Sequence, residues 1–151
     1  DVIPAPLRWL TALSAVALAG VLAAGTLVTG AGPHAGDKSL DRVVPRLEVE
    51  IVTLVHLHAQ LLVGYLALLV GLCFGLYAVG ATRAVKVRVQ VLLALVVAQA
   101  LIGLVQFFTD VPAALVAFHV AGAGLCTAAT AAVWAAGRTR EYVTQPDTAS
   151  V

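Results

Sequence analysis

Charge is what this 151-residue sequence has least of. Asp, Glu, Lys and Arg make up 11% of the chain, against 61% hydrophobic residues. A soluble domain carries about 25% charged residues, so the composition excludes an ordinary water-soluble globule and points to an integral membrane protein. Cysteine occurs twice, as Cys73 and Cys126, both inside apolar stretches. That excludes a secreted disulfide framework. The two differ in depth by about eight residues, roughly 12 Å along a helix, too far for them to pair, so both read as small apolar filler. Methionine is absent; with no initiator, the sequence reads as a piece of a longer polypeptide or a processed product. A signal peptide is not expected, because the first apolar run is too long for its hydrophobic region and lacks a small-residue cleavage site. The net charge of +1 carries no information about nucleic acid, and no such partner is expected.

What is present is four apolar runs, at about 8–29, 51–80, 89–109 and 112–136. A bilayer core needs about 20 helical residues, and the runs lack the alternation of barrel strands. The expected fold is therefore an all-α integral membrane four-helix bundle over 1–137, with an outer loop at 30–50 and a polar tail at 138–151. Pro112 sits at the start of the fourth run, where its missing N–H costs nothing, and Asp110 is a plausible N-cap for that helix. Glycines at 20, 25, 30, 64, 71, 122 and 124 suit close helix packing. Arg83, Lys86 and Arg88 fall between the second and third runs without an acid, Arg138 and Arg140 follow the fourth, and Arg8 opens the first. The loop at 30–50 mixes both signs. By the positive-inside rule both termini are cytoplasmic and that loop is extracytoplasmic. Trp9, Tyr77, Trp134 and Tyr142 then gather at the inner interface, as an aromatic belt does.

Two histidines break the apolar pattern. His58 lies about seven residues into the second run and His119 about seven into the fourth, which places both roughly 10 Å below the outer boundary. Ionisable side chains in a bilayer are costly and usually have a partner or a job. Two imidazoles facing across a bundle suit the two axial positions of a haem iron; zinc lacks further ligands at that depth. The bland alternative is a pair of unrelated interhelical hydrogen bonds. Gly122 and Ala123 share a face with His119, and Leu61, Leu62 and Tyr65 share one with His58; each is either a wall for a flat cofactor or ordinary bundle core. His56 lies about 200° around the helix from His58 and cannot point at the same iron. His34 is either a loop residue or a contact to the cofactor edge. Lys38, Arg42 and Arg46 lie on the side where haem propionates need a cation, or form a solvated loop.

The segments Gly25-Thr-Leu-Val-Thr-Gly-Ala-Gly-Pro-His-Ala-Gly-Asp37, Leu57-His58-Ala59 and Gly103-Leu-Val-Gln-Phe-Phe-Thr109, followed by Pro112 and His119, resemble the C-terminal half of haem A synthase in its actinobacterial form. The resemblance runs in order over nearly the whole chain. It implies an eight-span enzyme of two pseudo-symmetric four-helix bundles, each with a histidine pair near the outer side. The N-terminal bundle holds haem O and oxidises one porphyrin methyl group to the formyl group of haem A. The C-terminal bundle holds a haem b, with His58 and His119 as its ligands. The family's catalytic half places a glutamate three residues before its first ligand histidine. Here that position is Val55, and the cysteine pair often found in the catalytic half's outer loop is missing. The resemblance therefore implies the cofactor half, non-catalytic alone, whose partners are the N-terminal half of the same enzyme, the lipid bilayer, and possible electron donors or haem O synthase. The sequence leaves two rivals open. One is a stand-alone membrane b-type cytochrome. The other is a haem-free structural or assembly subunit.

Overall fold

The structure is a computed structural model that describes residues 3–32 and 49–138. Four α-helices follow one another: α1 (Ala5–Ala31), α2 (Ile51–Ala78), α3 (Arg83–Phe108) and α4 (Ala113–Ala136). All four are long and apolar enough to cross a membrane, and the described residues contain no strand. In each span's most apolar stretch between 17% and 28% of residues are buried. Residues such as Phe74, Phe108 and Phe118 stand outward, so the bundle exposes large apolar side chains along its spans. Such a surface requires lipid or another apolar partner around it.

The helices alternate in direction and form a four-membered ring. Packing is densest within two hairpins, α1 with α2 and α3 with α4. The α2–α3 and α1–α4 seams are thinner, and the diagonal pairs α1/α3 and α2/α4 make no close backbone contact among the described residues. Tyr65, Leu69, Leu72 and Leu76 of α2 form the core ridge with Val85, Val89 and Leu92 of α3. Their three- and four-residue spacing is the helical apolar stripe. Polar groups on α1 are satisfied within the helix: Thr11 Oγ1 donates to Leu7 O and Ser14 Oγ to Leu10 O, both at 2.8 Å. Such back-bonding removes the need for water in an apolar bundle.

Two boundaries differ from the sequence expectation. Arg83, Lys86 and Arg88, expected between helices, lie in the first two turns of α3, and the α2–α3 connection is residues 79–82. Hydropathy marks where a helix becomes apolar, not where it begins, and Lys and Arg are good helix formers. Nor is Asp110 the N-cap of α4. That position is Pro112, with no side-chain cap. Asp110 and Val111 instead both adopt left-handed backbone, φ 55° and 52°. The amides of Thr109 and Val111 donate to Gln106 O at 3.3 and 3.1 Å, which reverses the chain within a few residues. A β-branched residue in this region is unfavourable, so the turn stores strain at Val111.

Candidate functional site: a histidine pair between diagonal helices

His58 is the eighth residue of α2 and His119 the seventh of α4. The two helices are diagonal in the ring, so inward side chains from each meet near the bundle axis. The imidazole centroids lie 6.5 Å apart, with the ring planes at 72°. Each ring rests against a glycine on its own hairpin partner. A Cβ at Gly25 of α1 would sit 3.2 Å from His58 Cε1, and one at Gly103 of α3 would sit 3.5 Å from His119 Cε1. The two hairpins thus repeat one arrangement: glycine on the first helix, histidine on the second.

His58 Nδ1 lies 3.0 Å from the carbonyl of Val21 on α1. A carbonyl only accepts, so Nδ1 carries the proton; in the neutral ring this leaves the Nε2 lone pair free as a ligand. The ring is therefore oriented by a backbone group on another helix. His119 is not held in this way. Its Nδ1 is buried, with no hydrogen-bond partner among the described residues, and the same holds for Oε1 of Gln99 on α3. Buried polar atoms without partners are rare in folded proteins, and each calls for an explanation. Both residues line one cavity of about 50 Å³ together with His58, Tyr65, Ala123 and Cys126. That volume has room for one or two waters. Below it, Tyr65 Oη and Thr130 Oγ1 lie 3.4 Å apart, and Thr130 Oγ1 donates to Cys126 O at 2.8 Å.

The structure brings together part of the sequence-derived set. His58, His119, Leu62, Tyr65 and Ala123 all border the cavity. Gly122 is buried, but the room expected beside it is filled: a Cβ there would overlap the carboxamide of Gln99. Leu61 and His56 are exposed on α2 and do not border the cavity. His34, Lys38, Arg42 and Arg46 lie outside the described residues. Gln99 was missed by sequence reasoning. The available signal was a carboxamide at the middle of an apolar span, the central one of Gln90, Gln99 and Gln106, which marks an interhelical contact or a cofactor pathway.

No family model, curated protein or solved structure matches the chain. The chemistry of the site must therefore be weighed on its own geometry. Among the described residues no three His, Cys, Asp or Glu side chains gather around one point. Two imidazoles are an incomplete set for a bare zinc ion, which takes four ligands. They are a complete axial pair for an iron that brings its own four ring nitrogens. The donor types and the orphaned Nδ1 of His119 fit a metalloporphyrin held between the two helices.

Proposed function

We propose that this chain is a haem b-binding membrane bundle, equivalent to the C-terminal half of haem A synthase, with His58 and His119 as axial ligands. The observation that carries the reading is the histidine pair itself: diagonal helices, matched depth, centroids 6.5 Å apart, and one ring already oriented by Val21 O. A bound haem b supplies one-electron chemistry, and two axial histidines suit it to electron transfer rather than oxygen binding. The protein's part is to hold both imidazoles at the bundle axis and to keep water out with the apolar walls. Val21 O fixes the His58 tautomer, and the Gln99 carboxamide lines the same cavity as His119.

Porphyrin is larger than the cavity between the rings. Its binding therefore requires the two hairpins to part along the α2–α3 and α1–α4 seams, which are the thinner ones. In the full enzyme this bundle supports oxidation of a haem O methyl group in a neighbouring N-terminal half. Among the described residues the spans contain no carboxylate at the histidine level, since Glu50 and Asp110 precede α2 and α4, so the spans offer no carboxyl group as acid or base for that step. The proposed setting is a cell membrane, with both termini cytoplasmic and the loop at 30–50 outside, the end nearer the histidines.

The test is an absorption spectrum of the purified chain loaded with haem. A low-spin b-type spectrum is expected. His58→Ala or His119→Ala should abolish it or convert it to a five-coordinate form, and His56→Ala should leave it intact. A normal low-spin spectrum in His119→Ala overturns the ligation, and no haem uptake at all favours a haem-free structural subunit.

A further inference from the structure

The two hairpins match beyond the glycine and the histidine. In both, the glycine faces Cε1 of the imidazole: Gly25 that of His58, Gly103 that of His119. One turn before Gly25 stands Val21, whose carbonyl accepts from His58 Nδ1 at 3.0 Å. One turn before Gly103 stands Gln99. Its Oε1 and the Nδ1 of His119 are both buried without a hydrogen-bond partner among the described residues, and both residues line the cavity between the rings. The first atom only accepts; the second can donate. Joining them satisfies both at once, where each alone bears the cost of a buried unpaired polar group. The carboxamide also sits at the right level. Gly122 lies one turn along α4 from His119 on the same face, and Gln99 packs against it where a Cβ would stand.

We infer that Gln99 is the positioning residue of His119: with haem bound, His119 Nδ1–H donates to Gln99 Oε1, as His58 Nδ1–H donates to Val21 O. Nε2 of each ring is then left for the iron. The inference rests on the haem reading above and deepens it by naming the second anchor of the pair. A ligating histidine ordinarily donates its other ring N–H to an acceptor, which fixes tautomer and ring orientation and raises the basicity of the ligand. A more basic ligand favours ferric over ferrous iron, so the bond holds the potential down. In the first hairpin the acceptor is a backbone carbonyl, which no substitution removes. In the second it is a side chain, so one residue of α3 tunes the site.

The experiment compares variants of the full chain, purified in detergent and loaded with haem b. Gln99→Met keeps the length of the side chain and replaces the carboxamide with a thioether, at most a weak acceptor. It should weaken haem binding about tenfold, the lower end for loss of such a partner. A tenfold loss confined to ferric haem raises the midpoint potential by about 59 mV, and that is the expected shift. The low-spin ferric electron paramagnetic resonance signal, which reports the relative orientation of the two rings, should broaden. Gln99→Glu keeps an acceptor oxygen at the same reach and should leave the potential at or below the parent's. Gln106→Met, at the other buried carboxamide of α3 and outside the cavity, should change neither readout. Gln99→Leu supplies the same comparison should the methionine protein not fold. An unchanged potential and resonance signal without the Gln99 carboxamide overturns the inference, and so does an equal shift in Gln106→Met. Failure of the haem reading shows separately: the parent chain takes up no haem, which overturns both before any variant is compared.

Discussion

Gly122→Ala tests how the site is packed. The added Cβ would meet Nε2, Cδ and Oε1 of Gln99, all closer than real contacts allow. Because Cδ is among them, turning the amide about its last bond gives no relief, and the whole Gln99 side chain must leave its position. Forcing a methyl group into a packed interior costs about 1–3 kcal/mol. Alanine in place of glycine returns about 1 kcal/mol of helix propensity. The net expectation is a loss of about 0–2 kcal/mol. In a Gln99→Ala background the obstacle is gone and only the propensity gain remains, so the same substitution becomes neutral or stabilising by up to about 1 kcal/mol. The coupling between the two positions is thus about 1–3 kcal/mol. Reversible unfolding of the four chains of this cycle in mixed detergent and SDS, followed by circular dichroism, measures it. Gly124→Ala is the control, since a Cβ there meets nothing within 4 Å. If Gly122→Ala has the same effect in both backgrounds, within about 0.5 kcal/mol, the contact between Gln99 and Gly122 is refuted. In haem-loaded protein, Gly122→Ala should also shift the midpoint potential, because it removes a carboxamide beside His119; Gly124→Ala should not.

Two further expectations follow from topology and from the missing acid. With the basic end inside, a cysteine at Asp37 should label from the outside and one at Ala84, exposed in the first turn of α3, should not; external labelling at position 84 reverses the orientation. Expressed alone with haem O, the chain should yield no haem A on extraction, because Val55 stands where the resembling family's active half has glutamate, and Val55→Glu should not create activity. Instead it should weaken haem binding by placing a carboxyl group in an apolar span. Haem A formed without an N-terminal half would refute the division of labour.

The sequence by itself determined the number of helices, their apolar lengths and the level of the two histidines. These depend on local quantities: hydropathy summed over about 20 residues, and a 1.5 Å rise that turns position in a run into depth. It also set the charge asymmetry of the two ends, because every helix begins or ends near its own charged residues. The tertiary structure decided which faces meet. That α2 and α4 are diagonal, so that His58 and His119 approach across the axis, depends on how four stripes pack together, and no single helix encodes it. The Val21 carbonyl that orients His58 belongs to a residue whose side chain says nothing about hydrogen bonding. Gly122 looked from its spacing like room for a cofactor, yet the room is taken by Gln99 of the neighbouring α3, one of three carboxamides, at 90, 99 and 106, that the run presents without distinguishing which of them enters the bundle. The start of α3 was misplaced by six residues, from 89 to 83, because a helix of good formers continues past the point where its side chains stop being apolar.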